Sequence, residues 1–273
     1  DVTTYDRMDS ISAAGYGYGY IGSVFPFVLF MMIMQFSSLN SNAIVMVGFF
    51  ITAAWWFIFT VPYWLYVSQK SFIEKPEKPI KESFIRLWRT IKQIGEHKQV
   101  FLFLLAYFFY IDGVGTIIKM ATAIGSDMGL DNNSLIVILL IVQIVAFPFS
   151  LLYGYLSKRF GNKKTLFLGI GTYIAICVMA LWLNSYTDFL ILAILIGTAQ
   201  GGVQSLSRSL FGQLIPANRA NEFFGFYNIF GKFSSILGTT LLGITAQMTG
   251  NSLDGVFSLI ILFVIGSVLL FFV

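Results

Sequence analysis

Residues 133–164 read NSLIVILLIVQIVAFPFSLLYGYLSKRFGNKK, a long apolar run followed by a short basic turn. A helix needs about 20 consecutive apolar residues to cross the roughly 30 Å hydrocarbon core of a bilayer. Residues 133–156 meet this requirement, and the basic residues after them are typical of a turn on the cytoplasmic membrane surface. The stretch therefore predicts a membrane-spanning helix that ends in a cytoplasmic loop.

Seven further stretches have a similar length and apolarity, which gives eight predicted spans. The chain is 57% hydrophobic and only 11% charged, whereas ordinary soluble proteins carry about 25% charged residues. Its mean hydropathy of +0.79 excludes a soluble globular domain, and we predict an all-α integral membrane protein. The predicted spans are 15–36, 43–67, 99–124, 133–156, 165–184, 188–210, 222–246 and 253–273.

The basic residues lie in alternate connections between these spans. Of the 17 Lys and Arg, eight lie between the second and third spans, four between the fourth and fifth, and two beside the sixth-to-seventh turn. By the positive-inside rule, this predicts that residue 1, these basic connections and the C-terminus are cytoplasmic. The basic excess then sets the orientation and contacts lipid headgroups, so we expect no nucleic-acid partner. The intervening connections contain Asp127, Asp131, Asp188 and Asp254 instead.

The connection at 69–98 is the longest in the chain. After Pro76 and Pro79, apolar residues recur at helical spacing with basic residues on the opposite face. This pattern predicts an amphipathic helix on the cytoplasmic membrane surface, although a simple tether between two bundles fits equally. The connection divides the chain into a two-span part, 1–68, and a six-span part, 99–273.

The loop Gly154–Lys164 reads GYLSKRFGNKK and resembles the G-x-L-x-D-R-x-G-R-K signature of the major facilitator superfamily. Gly154 permits a close approach of helices, and Gly161 permits a sharp turn. Lys158 stands where the signature has an acid, which puts a charge relay through that position in doubt. Glu222, at the start of the seventh span, is a possible substitute. The basic residues that we expect to hold the turn at the cytoplasmic face are Arg159, Lys163 and Lys164.

Other segments resemble the vacuole-effluxer-like branch of this superfamily, which contains the autophagy-related amino-acid efflux relatives. These segments are Gly15–Gly22, Tyr107–Gly113 and Gln200–Phe233. The resemblance implies twelve spans in two six-helix bundles, so that the eight spans here are the fifth to the twelfth. Residues 1–68 are then the last two spans of the N-terminal bundle, and 99–273 are the C-terminal bundle. The other N-terminal spans are expected partners from the same protein.

The resemblance implies a secondary transporter that works by alternating access and exports amino acids or similar small solutes. A non-transporting sensor or assembly subunit on the same scaffold stays open as the alternative. The sequence contains no nucleotide-binding loop, nucleophile constellation or metal-ligand spacing, so we expect no enzyme activity, cofactor or metal. The expected membrane is the inner membrane in a bacterium and the vacuolar or lysosomal membrane in a eukaryote.

Ionisable residues within the spans are the candidates for a solute or proton pathway. A charge near the bilayer centre costs about 2.5–3.5 kcal/mol on insertion scales, so it normally faces a cavity or a partner. Asp112 is the only carboxylate in the middle of a predicted span, and we predict that it carries protons, with a structural ion pair or a helix break beside Gly113 and Gly115 as the alternative. Lys232 is expected across the bundle, as a solute-binding group or as a static partner of Asp112. Lys119 lies two turns from Asp112 and either joins this group or extends outward.

Polar residues at helical spacing complete the candidate site. Gln200, Gln204 and Arg208 follow one another at i, i+4 positions of the sixth span. The two glutamines are predicted either to bind the solute or to bond neighbouring helices, and Arg208 is predicted to anchor the cytoplasmic gate. The remaining candidates for contact with the solute are Asn228 and Tyr110, the latter with aromatic packing as the alternative.

Overall fold

The computed structural model describes residues 4–67, 81, 82, 85, 95, 97–216 and 219–273. In these ranges the regular secondary structure is helical, and no strand occurs. Eight segments of the described chain are long and apolar enough to cross a membrane, which confirms the predicted number of spans. The protein is therefore a multi-pass membrane protein. Most of the amphipathic helix predicted at 69–98 lies outside the described residues.

The spans differ from their predicted ranges mainly at the ends. A 3-10 turn at Ala180–Trp182 extends the fifth span, while Ser234 and Leu259 interrupt the seventh and eighth spans. The helices of the described ranges are α1 (Met8–Phe36), α2 (Ser41–Tyr66), α3 (Lys98–Asp127), α4 (Asn132–Phe160), α5 (Asn162–Met179), α6 (Tyr186–Leu214), α7 (Ala220–Phe233), α8 (Ser235–Thr249), α9 (Ser252–Ser258) and α10 (Ile260–Phe271).

Local sequence sets several helix ends. Asn40 and Asp131 cap α2 and α4 by accepting hydrogen bonds from backbone N–H groups of the first turn. Ser185 forms a capping box with Asp188 at the start of α6. Such caps supply partners for amide groups that a helix leaves unbonded at its N-terminus. Gly161 joins α4 to α5 with a φ of 91°, which a residue with a side chain rarely adopts.

Two ends of the bundle are distinguished by charge. We call the end that carries Lys158–Lys164 and Arg219 the basic side, and the end that carries Asp127, Asp131 and Asp188 the acidic side. The cytoplasmic location of the basic side stays a prediction.

The hydrophobic core of the described residues lies between Val100 and Leu270, within α3 to α10. Small residues let α4 and α6 approach closely. A Cβ atom added to Gly197 would lie 3.0 Å from the carbonyl oxygen of Val142, and one added to Gly201 would lie 3.0 Å from that of Ala146. Glycine at these positions therefore allows backbone-to-backbone packing. The division of the chain into two bundles stays a prediction.

The first span packs against α4 and α6 and begins at Met8 rather than at the predicted residue 15. The sequence hides this start because polar residues occupy its first turns. Hydrogen bonds join this part of α1 to the bundle: Ser12 Oγ donates to the carbonyl oxygen of Ser205, at 2.7 Å. Ser150 Oγ donates to the carbonyl oxygen of Ala13, also at 2.7 Å. A Cβ atom added to Gly154 would lie 2.6 Å from Cβ of Ala13, so the close approach predicted for Gly154 is present.

Candidate functional site between the first span and the six-span part

A cleft of about 790 Å³ lies between α1, α4, α6 and α7. The first span supplies one wall, and the six-span part of the chain supplies the others. The cleft contains two of the residues singled out in the sequence, Gln204 and Arg208. Its polar lining residues include Ser12, Gln143, Gln204, Arg208, Ser209 and Asn221, and its aromatic ones are Tyr16, Tyr20 and Phe224.

Aromatic residues hold the two sequence-predicted groups in the cleft. Tyr20 Oη donates a hydrogen bond to Gln204 Oε1 at 3.0 Å, which links α1 to α6. The Arg208 guanidinium lies over the Phe224 ring, 4.8 Å from its centroid, in a cation–π contact. Among the residues that the structure describes, Arg208 forms no ion pair with a carboxylate. A cation in this wall is thus oriented by an aromatic ring rather than neutralised by an acid.

A polar stripe on α7 extends from the cleft. Asn221 lines the cleft, and Asn228 and Lys232 follow on the same helical face; all three are exposed. Lys232 was expected to lie near Asp112, with a static pair as one possibility. In the described part of the chain, no hydrogen bond or ion pair joins these two residues. The helix rotation directs Lys232 away from the bundle core, so the structure does not bring the pair together.

Asp112 is fully buried in α3, a helix that supplies no residue to the cleft lining. Its Oδ1 accepts hydrogen bonds from the backbone N–H of Gly238, at 2.9 Å, and from Thr116 Oγ1, at 3.3 Å. Its Oδ2 is buried without a partner among the described residues. Lys119 Nζ donates to Ser235 Oγ at 2.5 Å. Asp112 and Lys119 therefore both connect α3 to the first turn of α8.

Gln200 and Tyr110 lie within the bundle instead of in the cleft. Gln200 is 5% exposed and borders an apolar cavity of about 50 Å³ in the six-span part. Tyr110 is fully buried, and its Oη lies 2.7 Å from Ser207 Oγ. Tyr110 is therefore packed between helices in this conformation, also contacting the Tyr107 ring, whereas Gln200 Oε1 is buried without a partner among the described residues.

Asp9 is a residue of the site that the sequence did not predict. It is buried at the start of α1, and its Oδ1 accepts hydrogen bonds from Asn162 Nδ2 at 2.7 Å and Gln213 Nε2 at 2.9 Å. The Ser209 hydroxyl donates to the same oxygen. One carboxylate thus joins α1 to α5 and α6 on the basic side. Asp9 was missed because it precedes the predicted first span, although buried Asp9, Ala13 and Gly17 share one helical face.

The loop Gly154–Lys164 meets α1 through Asn162, which also donates to the carbonyl oxygen of Leu206 at 3.3 Å. Glu222, the suggested substitute for the missing acid of the signature, pairs with Arg219, and both lie at the start of α7. Asp9 is a carboxylate that does contact the loop, through its hydrogen bond from Asn162. The basic residues of the loop lie at the surface: Arg159 over the ring of Phe160, Lys163 donating to the carbonyl oxygen of Phe271, and Lys164 exposed.

Gln143 is a second residue that the sequence analysis missed. It lines the cleft from α4, and its Oε1 is buried without a partner among the described residues. An amide in the middle of the apolar run at 133–156 was the available signal. The cleft therefore contains amide groups from three helices, on Gln143, Gln204 and Asn221, as well as a cation.

A sequence profile of the family described as vacuole effluxer Atg22 like matches residues 2–273. The chain belongs to this family. The predicted superfamily and branch are thereby confirmed, and with them the fold class, an all-helical major facilitator superfamily bundle. Eight spans of this Atg22-like bundle lie within the described residues.

Relatives of the Atg22-like chain occur in bacteria and fungi. The uncharacterized MFS-type transporter YxiO of Bacillus subtilis (strain 168) is 51% identical, over 100% of the chain and 65% of YxiO. Autophagy-related protein 22-1 of Penicillium rubens and autophagy-related protein 22-2 of Aspergillus clavatus are each 26% identical over 88% of the chain. The match covers 45% and 44% of these two fungal proteins. The chain therefore spans less than two thirds of the length of each relative.

Proposed function

We propose that this Atg22-like chain is the larger part of a secondary transporter that moves a small solute by alternating access. The observation that carries the proposal is the polar cleft between α1 and the six-span part. Gln204 and Arg208 face this space, and a cation in a membrane span normally faces water or a partner rather than lipid. Major facilitator transporters bind their solutes between helix bundles near the bilayer midplane.

The hydrogen bonds of Asp9 support a gate on the basic side. We call Asp9 and its three donors, Asn162, Ser209 and Gln213, the basic-side gate. These bonds tie the first span to α5 and α6. In alternating access, contacts on one side must break when that side opens. A gate of this kind explains why a polar cluster is buried at a helix start.

The solute, the direction and the coupling ion are further parts of the proposal. The family description names an effluxer, and we propose efflux of amino acids or similar small solutes toward the cytoplasmic, basic side from a vacuole, or outward across a bacterial inner membrane. We propose that protons are coupled through Asp112. Its buried and unpartnered Oδ2 supports this role, because a proton would remove the cost of burying the charge.

Solute counterflow by the full-length protein in proteoliposomes tests the transporter proposal. The panel consists of labelled amino acids, monocarboxylates, organophosphates, sugars and amines. We expect saturable counterflow for at least one class, with a reduced rate in Gln204→Leu, which loses the bond from Tyr20. Gly171→Ala is the control, since a Cβ at Gly171 would meet nothing within 4 Å. Folded protein without counterflow in any class would contradict transport and favour the sensor or assembly subunit.

A further inference from the structure

One cation lines the cleft, and a second lies farther along α7. Arg208 lines the cleft, and Lys232 lies on the polar stripe that runs from the cleft along α7; both side chains are exposed. Neither forms an ion pair with a carboxylate in the described ranges. Because a cation within a membrane span is costly, it normally has an anionic partner or serves the transported species. Arg208 and Lys232 therefore have no acidic partner within the described part of the chain.

Three carboxylates of the described helices have other partners. Asp112 is buried, with the backbone N–H of Gly238 and the hydroxyl of Thr116 as its donors. Asp9 accepts hydrogen bonds from three neutral side chains of the basic-side gate. Glu222, near the basic end of α7, pairs with Arg219. None of these three therefore neutralises Arg208 or Lys232 in this conformation.

The chemistry of Arg208 narrows the kind of partner. A guanidinium presents parallel N–H donors that match the paired oxygens of a carboxylate or phosphate, and it is always charged. The Phe224 ring holds this group at the cleft wall. Gln143 Oε1 is a buried acceptor in the same lining that has no donor among the described residues. The cleft is therefore suited to a molecule with an oxyanion group and a hydrogen-bond donor.

We infer that the solute carries an oxyanion group, a carboxylate or a phosphate, which Arg208 binds, while Lys232 provides a second cationic position along the pathway. The inference rests on the proposed function, because it treats the cleft as the solute site. Sugars and amines without an oxyanion are then poor solutes.

Solute binding to the purified full-length protein tests the inference. The probes are the L-amino acids, short monocarboxylates and glycerol 3-phosphate, measured by calorimetry. Each amino acid that binds is compared with the amine that lacks its carboxylate. We expect at least one oxyanion probe to bind, and its matched amine to bind about tenfold more weakly or worse. Binding confined to glycerol 3-phosphate identifies a phosphate as the oxyanion.

Arg208 variants identify the group responsible. We expect Arg208→Gln to raise the Kd of the bound probe about tenfold or more, and Arg208→Lys to restore part of the affinity. Arg7→Gln is the matched control, since Arg7 is an exposed cation at the start of α1, and it should keep the wild-type Kd within about twofold. Elution as a single species and an unchanged Tm without ligand show that the variants fold.

Three results would overturn the inference. These are no binding of any oxyanion probe by the wild type, an unchanged Kd in Arg208→Gln, and equal binding of the matched amine. The first result is also expected if a carboxylate from another span neutralises Arg208. Counterflow of a sugar or amine at the wild-type rate in Arg208→Gln would remove the inference but leave the transporter standing. Arg208-dependent binding without any counterflow would support oxyanion binding by Arg208 but contradict the proposed transport.

Discussion

Asp9 accepts hydrogen bonds from two other helices although it lies in the first turn of its own. We expect Asp9→Ala to lower stability by about 1–3 kcal/mol, because it leaves buried donors without an acceptor. The Tm of the purified full-length protein measures this effect. Asp6→Ala is the matched control, since Asp6 is exposed and should leave the Tm unchanged. Equal Tm values for both variants would show that the basic-side gate contributes little to folding.

Asp112 combines a structural role with the proposed proton coupling. Asparagine retains an oxygen that can accept from the backbone N–H of Gly238, so we expect Asp112→Asn to fold. It cannot ionise, so solute flux should stop responding to an imposed pH gradient while counterflow continues. Flux in proteoliposomes with and without the gradient measures both. An unchanged gradient-driven flux in Asp112→Asn would contradict proton coupling through this residue.

At the scale of helices, α4 and α6 depend on glycine for their close contact. A Cβ added to Gly201 would lie 2.8 Å from Cβ of Ser150, 3.0 Å from the carbonyl oxygen of Ala146 and 3.1 Å from the Tyr20 ring. We expect Gly201→Ala to destabilise the protein by about 1–3 kcal/mol through overpacking. It should also displace Tyr20 and slow counterflow. Gly171→Ala, which meets no atom within 4 Å, should match the wild type in Tm and rate.

Helical periodicity predicted the spans well but not the neighbours of each face. The length of the apolar runs determined their number, because the bilayer requires about 20 apolar residues per span. The same spacing grouped Gln200, Gln204 and Arg208 on one stripe, yet only Gln204 and Arg208 reach the cleft. Which helix a face meets depends on tertiary rotation and packing, which a single sequence does not contain. For that reason the expected approach of Lys232 to Asp112 is not observed.

The polar start of α1 shows a related limit. Hydropathy excluded residues 8–14 from the first span, because it weighs each side chain as if it faced lipid. Asp9 and Ser12 instead bond to α5 and α6. Their contribution appears only when the partner helices are known.

At the scale of the whole molecule, the first span contributes both to the proposed gate and to the proposed solute cleft. One face of α1 is fastened to the bundle by the basic-side gate, and Tyr20 and Ser23 of α1 line the cleft. The α2 helix has no buried residue among those described, and the family relatives are longer than this chain. We therefore expect the cleft to be completed by other spans of the full-length protein.

Two-sided labelling of Ser23→Cys tests most directly whether this cleft is an alternating pathway. Ser23 is exposed in the cleft, and its hydroxyl bonds only within its own helix, to the carbonyl oxygen of Tyr20. The full-length protein, with Cys177 and any other cysteine replaced by alanine, is reconstituted and treated with a membrane-impermeant thiol reagent from each side. We expect the reagent to label the introduced cysteine from either side. In the Asp9→Ala variant, the labelling rate from the basic side should rise relative to the rate from the acidic side. Labelling from one side alone, unchanged by Asp9→Ala, would contradict alternating access.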